Sequence, residues 1–135
     1  MERLLVLAFD VAPNGASAIC GSSAEELSQV TIDLASPSMT SKPFFNCNHG
    51  GINAIRLRGD QRIFATAGWD HRVRVFHTRT LKPLAILKYH TDSVFAVDFT
   101  PDHNLLLSAS KDHKIAVWSI YSPSPDTTRR ALRGF

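Results

Sequence analysis

The sequence contains little cysteine, with only Cys20 and Cys47 among 135 residues. Two cysteines do not build the disulfide framework on which small secreted domains depend, so a reduced intracellular state is the simpler interpretation. Cys47 and His49 form a Cys-x-His pair, but no second pair of ligands follows at the spacing of a structural zinc site. We therefore expect no bound metal and no cofactor.

Long hydrophobic runs are also missing. Near the N-terminus, the apolar residues 4–9 follow the charged Glu2 and Arg3, and this run is too short for the core of a signal peptide. No other stretch approaches the length of about 20 apolar residues that a membrane-spanning helix needs. We therefore expect a protein of the nucleus and/or cytoplasm that is not secreted and has no membrane partner.

The sequence contains neither a cluster of like charges nor the apolar period of a helix. The chain has 15 Lys and Arg against 12 Asp and Glu, for a net charge of +3. Because the basic residues are spread along the chain without forming a stripe, direct nucleic-acid binding is not expected. No window of helical length keeps an apolar period of 3.6 residues without a Gly, Pro or Asp-rich break, so helix is disfavoured throughout.

The chain instead contains short apolar or alternating runs of strand length, separated by turn residues such as Thr100-Pro101-Asp102. These runs fall into three groups. The predicted strands are 4–10, 17–21, 29–34 and 44–46, then 52–57, 63–67, 72–76 and 84–88, and finally 94–99, 105–109 and 114–118.

An internal repeat organises these strands. Residues 65–76 recur in altered form 42 positions later as residues 107–118, with Asp70 matching Asp112. Self-similarity at such a period indicates a unit that cannot bury its apolar face alone and must stack on its neighbours. A unit of this length fits one four-stranded blade of a β-propeller.

The length of the chain limits how much of a propeller it forms. Propellers typically contain about four to eight blades, and 135 residues at this period provide about three. The predicted fold is therefore an all-β propeller fragment of about three four-stranded blades, whose ring this chain alone does not close. We expect such a fragment to belong to a larger propeller or to assemble with other chains.

The predicted organisation has four parts. Residues 1–48 form a degenerate blade and loop, with the loop at residues 36–43. A full repeat follows at 49–89, and a second at 90–121 lacks its own outer strand. Residues 122–135 contain two prolines and three arginines and are predicted to be a disordered basic tail. The alternative is a basic targeting or anion-binding segment.

Four residue types in these units resemble the WD-repeat (WD40) family of β-propellers: an opening His, a Ser or Thr in the second strand, an Asp in the next turn and a Trp in the third strand. The C-terminal unit has the complete set, namely His90, Ser108, Asp112 and Trp118. The preceding unit has His49, Thr66, Asp70 and Phe76. In the family these side chains form a hydrogen-bonded chain that ties the turn to the blade. Because Phe has no N–H, we expect the first unit to keep only the lower part of this network.

A network of Ser, His and Asp also admits a catalytic interpretation. A nucleophilic serine needs an exposed position, an oxyanion hole and room for substrate. Ser108 instead falls in a strand that adjacent blades should cover on both faces. We therefore interpret Ser108, His90 and Asp112 as structural residues, and we predict that the protein is not an enzyme.

A closer resemblance is carried by residues 68–72, Gly-Trp-Asp-His-Arg, with Phe76-His77 in place of the usual Trp-Asp. This stretch is similar to the C-terminal blades of the guanine nucleotide-binding protein subunit beta-like protein 1 family, which includes ASTRA-associated protein 1. Residues 110–121 also resemble that family's final strands. The likeness covers roughly residues 45–121.

The resemblance implies a non-enzymatic scaffold or adaptor. Members are associated with the assembly and stability of kinases related to phosphatidylinositol 3-kinase, through the co-chaperone complex that includes Tel2, and in fungi with ASTRA chromatin-linked complexes. The implied partners are proteins, either Tel2-type co-chaperones or ASTRA subunits, and no small-molecule substrate is implied. Two alternatives remain open: a WD substrate receptor of a ubiquitin ligase, and a truncated, non-functional isoform.

The tight turns provide the candidate partner contacts. Trp69 lies beside Asp70 in a turn that reaches a propeller face, where an exposed Trp would serve as an interface anchor. The other interpretation is that Trp69 packs on the loops of the neighbouring blade. His71, Arg72 and His113 belong to the same class of turn, and they would line a polar rim around the anchor or simply form solvated loops.

Overall fold

The computed structural model describes residues 5–47 and 50–120, and within these ranges it contains strands and turns but no helix. Eleven strands of the described chain form three antiparallel sheets. The N-terminal sheet comprises β1 (Val6–Val11), β2 (Ser17–Ser22), β3 (Glu26–Asp33) and β4 (Ser38–Asn46). The central sheet comprises β5 (Ile52–Leu57), β6 (Ile63–Gly68), β7 (Arg72–His77) and β8 (Pro83–Lys88). The C-terminal sheet comprises β9 (Val94–Phe99), β10 (Leu105–Ser110) and β11 (Ile115–Ser119).

Each sheet is a meander, in which successive strands of the chain pair antiparallel with one another. Short polar side chains cap the connecting turns. The Asn14 side chain accepts a hydrogen bond of 2.9 Å from the Ala16 N–H, and Asp102 accepts one of 3.1 Å from the Asn104 N–H. Such Asx turns reverse the chain within a few residues, which is what a stack of small meanders requires. The predicted all-β class is confirmed.

The central sheet is buried on both faces because a neighbouring sheet packs against each side. All six residues of β6 are buried, and its alternate side chains point to opposite faces. Phe64 stacks on Phe76 with ring centroids 5.0 Å apart, in the cluster shared with the N-terminal sheet. Ala65 faces the other cluster, together with Trp118 of the C-terminal sheet. Burying each Phe side chain contributes about 1.5–3 kcal/mol, so these contacts hold the sheets together.

The loop predicted at residues 36–43 is wrong over most of its length. Residues from Ser38 onward belong to β4, which pairs with β3 as far as Asn46. The reversal is confined to the preceding turn, where the Asp33 side chain accepts hydrogen bonds from the Ala35 and Ser36 N–H groups. The hydroxyl-rich stretch forms a strand because backbone pairing with β3 stabilises it without needing an apolar pattern.

The outer faces of the N-terminal and C-terminal sheets leave large apolar side chains exposed. Phe9 on β1 and Ile115 on β11 are each 65% exposed. The described sheets therefore form an open arc, in agreement with the predicted unclosed fragment. The predictions on His49 and on the tail at 122–135 lie outside the described residues, and the predicted boundaries of the four parts stay a prediction.

Candidate functional site

The C-terminal sheet contains a continuous chain of four hydrogen-bonded side chains. The Trp118 Nε1–H donates to Ser108 Oγ at 2.9 Å. Ser108 Oγ lies 2.8 Å from His90 Nε2, and His90 Nδ1 lies 2.9 Å from Asp112 Oδ2. The structure thus brings together all four residues that the sequence pattern selected in this unit.

Donor and acceptor roles in this chain follow from Trp118, which can only donate. The network assigns the Ser108 O–H as donor to His90 Nε2 and the His90 Nδ1–H as donor to Asp112. Burial opposes ionisation of Asp112, but hydrogen bonds from His90 and from the Thr91 and Lys114 N–H groups outweigh it, and they lower its pKa to about 2. The carboxylate is therefore ionised at neutral pH, and it ties the β10–β11 turn to the strand entry at His90.

This network is arranged for structure rather than for chemistry on a substrate. Ser108 is only 1% exposed, and its hydroxyl is engaged by both Trp118 and His90. An attacking nucleophile needs room for a substrate carbonyl, which a buried and doubly bonded hydroxyl does not have. The geometry therefore agrees with the structural interpretation of Ser108, His90 and Asp112.

The matching positions of the central sheet are arranged differently. Thr66 is fully buried, and its Oγ1 has no hydrogen-bond partner in the structure described for residues 5–47 and 50–120. Asp70 forms a two-bonded ion pair with Arg74, at 2.5 and 3.1 Å. Phe76 occupies the Trp position and packs in the aromatic cluster with Phe64. An ion pair across the turn thus holds Asp70, a role of Arg74 that was not predicted from the sequence.

Trp69 is exposed at its edge but held firmly in place. The side chain is 40% exposed, and its Nε1–H donates to Asn53 Oδ1 at 2.7 Å. The indole also packs on Gly50 and Gly51, where an added Cβ would lie 3.0 and 3.1 Å from Trp69 atoms. Trp69 therefore combines an open surface with a fixed orientation. Gly50 and Gly51 belong to its own repeat rather than to a neighbouring blade, and whether Trp69 anchors a partner stays a prediction.

Asn53 connects this tryptophan to the next sheet. Its Nδ2 donates to Ser93 Oγ at 3.1 Å and to the Val94 carbonyl at 2.7 Å. Asn53 is not among the site residues predicted from the sequence. The available signal was its departure from the repeat, because Phe95 stands 42 positions later.

The two tight turns lie at the same end of the sheets. Ser93, which contacts Asn53, also accepts the Lys111 N–H through its carbonyl at 3.0 Å. Asn53 and Ser93 therefore join the Trp69 turn to the β10–β11 turn. We call this end the turn face, and its residues are 50–53, 69–72, 91–93 and 110–114.

The other predicted contact residues also lie on the turn face. His71 and His113 are exposed and occupy the left-handed backbone region, with φ of 71° and 67°. Arg72 is half-buried at the start of β7. The structure thus places Trp69, His71, Arg72 and His113 at one end of the molecule, and whether they contact a partner stays a prediction.

No cluster of three or more potential metal ligands occurs in the part of the chain that the structure describes. Burial raises the pKa of the Cys47 thiol, which keeps it protonated and unreactive at neutral pH. Within residues 5–47 and 50–120, no helix is long and apolar enough to cross a membrane.

A comparison with the profiles of known protein families identifies the family of this repeat. The profile of the family described as WD domain, G-beta repeat matches residues 41–77 and 81–119, which is more than half of the chain. The chain belongs to the WD-repeat family. Proteins of this family generally act as non-enzymatic scaffolds.

Curated WD-repeat relatives carry the names that the closer resemblance implied. Guanine nucleotide-binding protein subunit beta-like protein 1 of Mus musculus is 42% identical over 120 residues, covering 89% of this chain and 36% of the relative. ASTRA-associated protein 1 of Schizosaccharomyces pombe is 47% identical over 78 residues, covering 58% of this chain and 21% of the relative. The chain thus spans about a third or less of the length of these relatives.

Solved structures share the architecture. "Structure of U3-55K" and "Crystal structure of RRP9 WD40 repeats" each superpose with a TM-score of 0.75, at 14% sequence identity. Each comparison covers 89% of this chain and 37% of the other. At this identity the likeness shows the fold alone, and it confirms the predicted WD40 propeller fragment.

Proposed function

We propose that this WD-repeat chain is a non-enzymatic adaptor that binds protein partners through its turn face, with Trp69 as the central anchor. The observation that carries this proposal is the fixed orientation of an exposed Trp. Trp is enriched among the residues that dominate binding energy in protein interfaces. Here Asn53, Gly50 and Gly51 hold the ring before any partner arrives.

Binding a partner usually orders flexible side chains of the interface, and this loss of freedom opposes binding. Immobilising a mobile side chain at an interface costs about 0.5–1.5 kcal/mol. The hydrogen bond of Trp69 to Asn53 means that much of this ordering is already present in the free chain. Around the indole, His71, Arg72 and His113 would supply hydrogen bonds at the rim rather than the bulk of the affinity.

The names of the relatives support the assembly that we propose. Several curated relatives are called ASTRA-associated protein 1, including those of S. pombe and Aspergillus niger. We infer that this chain serves an ASTRA chromatin-remodelling complex or the Tel2-type co-chaperones that stabilise kinases related to phosphatidylinositol 3-kinase. On this proposal it works in the nucleus and/or the cytoplasm.

A phosphate-reading receptor for a ubiquitin ligase has weaker support. Such a receptor needs several free cations converging on one face. Arg74 is committed to the buried ion pair with Asp70, and Arg72 is half-buried. The turn face therefore fits an aromatic anchor better than a phosphate site.

Affinity purification followed by quantitative mass spectrometry tests the proposal. The tagged 135-residue chain is compared with Trp69→Ala and with Leu84→Ala, which removes an apolar side chain that is 56% exposed on β8, away from the turn face. We expect Trp69→Ala to lose specific partners at least tenfold and Leu84→Ala to retain them. Equal recovery by Trp69→Ala would contradict the turn-face role. Failure of both this chain and a full-length relative to recover ASTRA subunits or Tel2-type co-chaperones would contradict the proposed assembly.

A further inference from the structure

An open cleft separates the outer edges of the N-terminal and central sheets, on a different part of the molecule from the turn face. Residues of β3 and β4 line one side, and the β7–β8 turn and the start of β8 line the other. Its volume is about 400 Å³. Ligand pockets in proteins generally have volumes of about 300–1,000 Å³, so the cleft can hold a large side chain with its backbone. We call it the rim cleft.

Aromatic side chains give the rim cleft a firm apolar wall. Phe44 packs edge-on against Phe64 and Phe76, with ring centroids 6.1 and 5.9 Å apart. Phe45 also packs edge-on against Phe76, at 5.0 Å. Both rings are only partly buried, because their remaining surface faces the cleft. The wall is therefore fixed by the core and does not have to be assembled on binding.

The opposite wall contains a tight turn with a left-handed residue. Leu81 has a φ of 60°, a conformation that is uncommon for a bulky residue. Two backbone hydrogen bonds hold the turn, from the Leu81 N–H to the His77 carbonyl at 2.8 Å and from the His77 N–H to the Lys82 carbonyl at 2.9 Å. Gln61, His71, His103 and His113 have similar φ values in other turns of the chain, so this is the turn geometry of the fold. The turn directs Leu81 into the rim cleft and onto the aromatic cluster.

The charge of the rim cleft has one sign. Lys42 and Lys82 line it and are exposed, and no lining residue is acidic. Neither lysine forms an ion pair with any residue in the described ranges. Two free ammonium groups beside an apolar wall are complementary to carboxylates that flank an apolar side chain.

Two prolines at the edges of the rim cleft limit the ways in which it can bind a peptide. Pro43 lies in β4, and Pro83 begins β8, and both line the cleft. Proline has no N–H, so it cannot donate to the ladder of an added strand. Recognition at these positions therefore depends on side chains rather than on strand addition.

We propose that the rim cleft binds a short acidic peptide of a partner protein. One apolar side chain of the peptide packs against Phe44, Phe45 and Leu81. Neighbouring Asp or Glu residues of the peptide pair with Lys42 and Lys82. This site is separate from the turn face and does not depend on the function proposed for Trp69.

An array of synthetic peptides tests the proposal with the full chain. One set carries a central Leu, Phe or Trp flanked by Asp and Glu, and two matched sets replace the acids by Asn and Gln or by Lys. We expect at least one acidic peptide to bind tenfold or more tightly than its amide match. Lys42→Glu combined with Lys82→Glu should abolish that binding, as read by fluorescence anisotropy.

The control variant carries the same charge change elsewhere. Arg56→Glu combined with Lys88→Glu alters two exposed basic residues outside both the cleft and the turn face, and it should bind within twofold of the natural chain. Trp69→Ala should also bind normally, which separates this site from the turn face. Circular dichroism checks that every variant folds, and Lys42→Gln with Lys82→Gln gives a milder second test. Acidic peptides that bind no better than the amide set, or equal losses in the two double variants, would overturn the proposal.

Discussion

Ser108 and Thr66 occupy equivalent positions of the two repeats, but their hydroxyl groups have opposite surroundings. Ser108 Oγ bonds to both Trp118 and His90, at 2.9 and 2.8 Å. Thr66 Oγ1 has no partner within the described residues. Removing each hydroxyl while keeping the shape of the side chain, with Ser108→Ala and Thr66→Val, therefore tests the network directly.

The two substitutions should change the free energy of unfolding in opposite directions. Ser108→Ala leaves two buried polar groups without their partner, the Trp118 N–H and the His90 ring nitrogen. Each unsatisfied buried group costs about 1–3 kcal/mol, so we expect a loss of about 2–6 kcal/mol. Thr66→Val replaces one buried and unpaired hydroxyl by a methyl group. It should therefore raise the free energy of unfolding by about 1–3 kcal/mol.

Urea unfolding followed by tryptophan fluorescence measures both effects. With a slope of about 2 kcal/mol per molar urea, Ser108→Ala should lower the midpoint by about 1 M or more. Ser41→Ala, at an exposed position of β4, is the control and should leave the midpoint unchanged. If Thr66→Val costs as much as Ser108→Ala, the two hydroxyl groups are equivalent, and the contrast drawn between the repeats is wrong.

Two further substitutions test the turns. The pKa of Asp112 is lowered from 3.8 to about 2, so its ionised carboxylate stabilises the folded state fully at pH values above 3.8. This stabilisation is lost as the pH falls toward 2. The difference in urea midpoint between the natural chain and Asp112→Asn should therefore shrink on acidification, and a gap that stays constant would contradict this. Arg74→Met leaves the buried Asp70 carboxylate unpaired and should cost about 3–5 kcal/mol, whereas adding Asp70→Leu should restore most of the loss. No recovery in that double variant, measured by the same unfolding assay, would show that the ion pair is not the cause.

The sequence predicted the strands well where the repeat and the turn residues agree. The predicted strand at 52–57 is β5, and the predicted strand at 94–99 is β9. These strands were predicted correctly because a fixed period places equivalent residues at equivalent points of each meander. That His90, Ser108 and Trp118 share hydrogen bonds was implied by the resemblance to the WD-repeat family, and the structure contains those bonds.

The strand prediction failed where the structure depends on pairing with another strand rather than on residue type. β4 has an exposed, hydroxyl-rich N-terminal half, so no alternation marked it as a strand. The roles of Asn53 and Arg74 depend on partners that come close only when the sheets fold, such as Ser93, which is 40 residues away from Asn53. A single sequence carries no signal for such contacts except a break in the repeat.

Those breaks indicate where the function of a repeat protein lies. Residues that recur in every blade hold the blade together, so they cannot distinguish one partner from another. The central repeat departs from the C-terminal one at many positions, and three of them meet at one turn: Asn53, Trp69 and Arg74 stand where the C-terminal repeat has Phe95, Lys111 and Ala116. In the structure Asn53 bonds to Trp69, and Arg74 bonds to Asp70, the next residue in the turn. Asn53 and Arg74 therefore hold this turn through side chains that the C-terminal repeat lacks, whereas the C-terminal repeat holds the equivalent turn through His90 and Asp112.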